Sequence, residues 1–388
     1  MMNNTPDIFK NLTPEEVQLS KELQEIIINE IDKNGGVISF SRYMELALYY
    51  PELGYYSNDL FKFGASGDFV TAPLISNIFG FLLAKQIMEI FSFGVEKSIL
   101  EFGAGNGKLA ADILISSGEN INKYYILELS ANLKNWQLET IKQKVPQYLD
   151  KVIWLDTLPE TFNGVMIANE VLDAQPCDLI RYADGKIIGV GVGYENNHFV
   201  YRDCELSNTT QDICKTLNYD YHDYLTEIHS INQIFMQTIA KTINHGAAIF
   251  IDYGAGQQEY YHPQKARGSL RGFFRQQVMD SVLVYPGLID ITASVNFSLI
   301  ANSAIDAELE LIGYTTQGNF LINCGLTELM TQLHSELSNE QYLKISNQVN
   351  KLIANNEMGD LFKVIGFSKG INSSNWCGFA TNDRTFLL

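Results

Sequence analysis

The sequence is short of positive charge: 27 Lys and Arg stand against 45 Asp and Glu, a formal net charge of −18. Such a surface repels phosphate backbones, so nucleic acid is a disfavoured partner, whereas an acidic cleft attracts Arg or Lys side chains. Cysteine is scarce and odd in number (Cys177, Cys204, Cys214, Cys324, Cys377), with no CxxC pair. That argues against a zinc knuckle and a disulfide framework, and for reduced thiols. The six histidines, at 198, 222, 229, 245, 262 and 334, have no metal-ligand spacing, so no metal is expected. There is no GxSxG elbow, Walker motif, internal repeat or low-complexity tract. Long apolar runs are missing as well. Ile78 to Val95 is broken by Lys85 and Glu89, so it reads as a buried helix and not a membrane span. The opening MMNNTPDIFKNLTPEE has no basic start, no apolar core and no arginine. Neither a secretory signal nor a mitochondrial presequence is expected from it, which suggests a cytoplasmic protein.

What is present is a globular composition: 388 residues, 46% apolar and 19% charged, with 22 Phe and 20 Tyr for large aromatic burial. Thr13-Pro14 predicts a capped helix to Lys33, and a second helix follows over 41–49. From Lys97 strands and helices alternate. Strands are expected at 98–102, 123–129, 151–155, 164–168 and 247–251, with helices at 109–115 and 132–144 between them. That order predicts an α/β fold with a mostly parallel sheet and helices on both faces. The organisation expected is an N-terminal helical and lid segment over 1–95 and a Rossmann-like domain over 96–388. Two insertions, about 179–244 and 254–296, would interrupt it. The first reads as a β-meander (179–201) and then a helix (221–244). Two helices are expected near 326–337 and 339–355.

The chemistry concentrates in ILEFGAGNGKLA. Gly103, Gly105 and Gly107 follow a strand and open a helix, so the turn can fold tightly and a ligand can lie against the backbone. Alone, such a turn could serve NAD, FAD or nothing. Glu101 separates the readings: a carboxylate there would repel a pyrophosphate but suits the ammonium and sulfonium charges of S-adenosylmethionine. Glu128, at the second strand end, can accept both ribose hydroxyls, as in any Rossmann site. Asp156, past the third strand, could accept from the adenine amine, or be an ordinary loop acid.

The runs LEFGAGNGKLAADIL, FGASGDFVTAP, ANEVLDAQP and FIDYG together resemble the MidA family, and the likeness spans about Gly54 to Phe379. Membership would imply a class I methyltransferase fold, S-adenosylmethionine as cofactor, and methylation of arginine on a protein, a subunit of respiratory complex I. Gly67, Asp68, Phe69 and Thr71 would then belong to a cofactor lid. Asn169, Glu170 and Asp173, directly after the fourth strand, would clamp a guanidinium; otherwise Asn169 and Asp173 cap a helix and Glu170 makes an ion pair. The chain departs from the family at Ala104, Leu74, Ser294 and Asn296, the last two standing where a histidine and an aspartate are usual. A methyltransferase for another acceptor, or an assembly protein that retains the cofactor fold, are the alternative readings.

Overall fold

The computed structural model describes Phe9, residues 12–58, Leu60, and residues 71–183, 185–217, 223–372 and 375–388. Its frame is one sheet of seven long strands: β1 Ser98–Phe102, β2 Lys123–Leu127, β3 Val152–Leu155, β4 Phe162–Asn169, β5 Ile243–Ala255, β6 Glu310–Thr316 and β7 Phe362–Lys369. The order is 3-2-1-4-5-7-6, with Val295–Asn296 added along the end of β5. Strands β1 to β5 run parallel, and β7 is antiparallel to both its neighbours. The order reverses between β1 and β4. In such sheets ligands bind at that reversal, beyond the carboxyl ends of the strands.

Alternation along the strands explains the layers. Ile99, Val165, Ile167 and Ile249 pack with α3 (Asn77–Ser92), α4 (Lys108–Ser117) and Ile141 of α5 (Ala131–Lys144). Leu100, Phe102, Met166 and Phe250 point the other way, onto α6 (Ser230–Thr242) and α7 (Phe297–Asp306). A strand buried on both faces reads as a near-continuous apolar run, which is why Ser98–Phe102 was expected with these limits. The only acid in β1, Glu101, is therefore costly where it stands.

The N-terminal helices α1 (Pro14–Lys33) and α2 (Phe40–Tyr49) pack apart from the sheet's helices. Thr13 Oγ1 accepts the Glu16 N–H and Glu16 returns the bond to the Thr13 N–H, a complete capping box. The helices cover two smaller sheets. One contains Asp178–Ala183, Lys186–Glu195 and His198–Cys204, the meander expected from the sequence. It also contains Tyr224–Ile228, which corrects the expectation of helix from 221: the helix begins only at Ser230. Tyr224–Tyr182 and Ile228–Asp178 pairing shows why, since tertiary strand pairing overrides a short ambiguous pattern. The other sheet has three short strands, Arg271–Phe274, Gln277–Met279 and Asp290–Thr292. It gives structure to the segment after β5, which the sequence showed only as an insertion.

Asn296 caps α7: its Oδ1 accepts the Leu299 N–H at 3.2 Å. An aspartate there could accept the same bond. Replacing Asn296 with alanine should cost about 1 kcal/mol in urea unfolding, the usual value of a lost cap. Asn296→Asp should lose less than the alanine variant, because the carboxylate can accept the same N–H although it is buried there. A loss from Asp as large as that from Ala would show that the cap is not what Asn296 contributes.

Candidate active site

Beyond Phe102 the chain turns through Gly103, Gly105 and Gly107 at φ of 60°, 54° and 80°. A side chain would be strained at each. It would also lack room: a Cβ on Gly107 would stand 2.9 Å from Gln137 Cα, and one on Gly103 3.1 Å from Val171 Cγ2. The turn opens directly into α4, whose first N–H groups have no partner within the helix.

Two acids flank the turn. Glu101 is 2% exposed and accepts a 2.7 Å hydrogen bond from Tyr124 OH. Burial raises its pKa from 4.5 to about 8, the Tyr124 bond opposing and Glu128 adding to the rise. Glu128 lies one residue beyond the end of β2. Its Oε1 accepts the Ser130 N–H and its Oε2 accepts Gln137 Nε2, both at 3.0 Å. Burial raises its pKa too. Gln137, fully buried, also donates to the Gly105 carbonyl at 3.0 Å and accepts from Trp154 Nε1 at 2.9 Å. It thus fastens the glycine turn to Glu128. The sequence signal for it was an amide on the buried stripe of α5, four residues before Ile141.

The turn, both acids and the end of β4 line one cavity of about 790 Å³. In the same cavity, just past β4, Glu170 sits at φ 55°, a strained backbone for a non-glycine residue. Its N–H donates to the Ile251 carbonyl, and its Oε1 accepts from the Ala72 N–H at 3.3 Å and Asn169 Nδ2 at 3.1 Å. Removal from water raises its pKa to about 7. Asn169 Oδ1 is buried without a hydrogen-bond partner. Asp173 is buried, and desolvation with the nearby Asp252, Asp290 and Glu170 holds its pKa well above the carboxylate range. Asp252, at the end of β5, accepts the Leu172 and Asp173 N–H groups and so shapes the turn after β4.

The other expected residues divide. Thr71 lines the cavity. Gly67, Asp68 and Phe69 lie outside the described residues. Asp156 does not line the cavity: its side chain is 86% exposed and pairs with Lys134, so the adenine contact expected of it has no support in this geometry. Ala104 and Leu74 line the cavity, whereas Ser294 and Asn296 do not. Tyr49, Tyr56 and Asp290 are among the cavity residues that the sequence did not single out. They carry no local motif, and only the fold brings them near Glu170. Among the described residues no group of three or more His, Cys, Asp or Glu is placed to hold a metal ion, and no helix is long and apolar enough to cross a membrane.

These features fit S-adenosylmethionine: a glycine turn at the cavity wall that lets a ligand lie against the backbone, with buried carboxylates for its ammonium and its ribose. Residues 82–315 match the model of a family of S-adenosyl-L-methionine-dependent methyltransferases. The zebrafish (Danio rerio) protein arginine methyltransferase NDUFAF7, mitochondrial, is 30% identical over 361 residues, covering 84% of this chain and 82% of the relative. The Drosophila melanogaster homologue is 26% identical and covers 91% and 85%. A Burkholderia thailandensis structure bound to S-adenosyl-homocysteine superposes with a TM-score of 0.92 at 38% identity, over 97% of this chain and 99% of that one. The cytoplasmic placement expected from the sequence is overturned, because these curated relatives are named as mitochondrial proteins.

Glu101 and Glu170 have folded pKa values above the ordinary 4.5, so the stability they permit is full at low pH and is lost as pH rises through about 7 to 8. The melting temperature of the cofactor-free protein should therefore fall between pH 5 and 8.5, and Glu101→Gln should flatten that fall. A parent curve that rises over this range would contradict it. In calorimetry, Glu128→Ala should weaken S-adenosylmethionine binding by roughly one to three kcal/mol, the scale of hydrogen bonds to a charged group. On sequence, fold and site together, the chain belongs to this family of S-adenosyl-L-methionine-dependent methyltransferases.

Proposed function

We propose that the chain is a protein-arginine N-methyltransferase in which Glu101 receives the cofactor's ammonium group, Glu128 its ribose hydroxyls and the 103–107 turn its backbone-facing edge. The bound cofactor supplies an electrophilic methyl group on a sulfonium. Everything else asked of the protein is alignment, which can supply much of the rate of such a displacement. The observation that carries the arginine reading is the group of polar residues beside the glycine turn, where Asn169 ends β4 and Glu170 and Asp173 follow it in the same cavity. A guanidinium offers five N–H donors in a fixed fork and matches carboxylates edge to edge. Glu170, half-ionised near neutral pH, would hold one edge and take the proton that the methylated nitrogen loses. Asn169 Oδ1, buried without a partner, would accept another N–H.

The relatives' names support a protein arginine acceptor. The resemblance noted in the sequence extends this to a subunit of respiratory complex I. Glu170→Gln keeps the side-chain size and removes the charge. It should leave S-adenosyl-homocysteine affinity nearly intact and cut turnover on an arginine-containing protein by about a hundredfold or more. Parallel loss of cofactor binding would assign Glu170 to the fold or the cofactor. Full turnover would remove the clamp.

A further inference from the structure

Asp290 reaches the cavity from a part of the chain remote from the cofactor half. It opens the strand Asp290–Thr292 of the three-stranded sheet, which is held by ladder pairing with Arg271–Phe274 and by two further bonds. Phe273 pairs with Asp290 across the sheet. Tyr253 OH donates to Thr292 Oγ1 at 2.8 Å, and the Ala293 N–H donates to the Asp173 carbonyl at 3.0 Å. The Asp290 side chain is 2% exposed, and its Oδ1 accepts Tyr56 OH at 2.8 Å. Tyr56 stacks on Tyr49, with ring centres 5.5 Å apart and planes at 24°. Tyr49 OH is itself tied to the Ala174 carbonyl at 2.9 Å.

The result is a carboxylate and two rigid aromatic rings in the cavity that also holds Glu170 and Asp173. Burial and the charges of Asp252, Asp290 and Glu170 push the Asp173 carboxyl up, so a cation placed among the acids of this cavity would be favoured. No described group of acids has the arrangement of a metal site. The rings add a preference of shape, because a planar cation can lie against an aromatic face while a compact ammonium gains less from it.

We infer that Asp290, with Tyr56 and Tyr49, forms the acceptor-side half of the site and selects arginine over lysine. Glu170 would hold one edge of the guanidinium and Asp290 another, leaving one nitrogen directed at the methyl group. The inference rests on the arginine reading above and adds the residue that makes the acceptor choice.

The test uses the full chain, labelled S-adenosylmethionine, and a set of synthetic peptides each carrying one arginine, with the same set carrying lysine. In Asp290→Asn the KM for arginine peptides should rise at least about tenfold while kcat changes less. S-adenosyl-homocysteine affinity should stay within about twofold of the parent. The melting temperature should stay level or rise, since a repelling charge is gone and the amide oxygen can still accept Tyr56 OH. Tyr56→Phe should raise the same KM by a smaller factor. A merely structural role would lower the melting temperature and cofactor affinity together, which overturns the inference. So does an unchanged KM in a parent enzyme that methylates arginine. A parent that labels the lysine peptides and none of the arginine ones defeats the arginine reading itself.

Discussion

Glu101, Glu128, Glu170, Asp173 and Asp290 are withdrawn from water around a single cavity, and their desolvation is the constraint that the surrounding structure serves. A buried carboxylate is tolerated when hydrogen bonds or a countercharge replace its water. Here the replacements include hydrogen bonds from uncharged donors: Tyr124 on Glu101, Ser130 and Gln137 on Glu128, Ala72 and Asn169 on Glu170, Tyr56 on Asp290. These donors hold the oxygens in place without neutralising them. Glu101, Glu128 and Glu170 therefore keep raised pKa values and stay ready for a positively charged ligand. S-adenosylmethionine brings two positive charges, and an arginine side chain brings a third.

The frame makes that concentration of acids possible. Reversal of strand order between β1 and β4 opens a crevice whose two walls are the glycine turn and the turn after Asn169. The first wall is locked by Gln137, which bridges Gly105 and Glu128. The second is locked by Asp252, which takes two N–H groups of the 172–173 turn and lets Glu170 hold its strained backbone. A third wall comes from α2 and the segment after β5, which bring Tyr49 and Asp290. The cofactor half thus depends on the sheet, and the acceptor half depends largely on what was inserted into it.

What could be read in the sequence follows the same division. The strand Ser98–Phe102, its acid and the glycine turn are contiguous, so period, residue type and spacing revealed them together. Glu128 was legible as a strand-end acid, although β2 stops at Leu127. Tyr56 and Asp290 were not legible, because their meaning lies in a contact between distant parts of the chain, whereas Gln137 left only a faint signal, an amide on the buried stripe of its helix. Asp156 shows the limit of position alone. Its position past β3 suited the adenine, but the chain turns it to solvent and Lys134. Ser294 and Asn296 drew notice as departures from a family pattern. The fold places Asn296 as a helix cap and keeps both out of the cavity.

If buried carboxylates with raised pKa values are the cation receptor, binding must expel their protons. The direct measurement is calorimetric titration of S-adenosylmethionine at pH 7 in buffers of different ionisation enthalpy, repeated from pH 6 to 7.5. The account predicts net proton release on binding, reduced in Glu101→Gln, and an affinity that rises with pH across that range. Binding without proton release, at an affinity independent of pH, would contradict it.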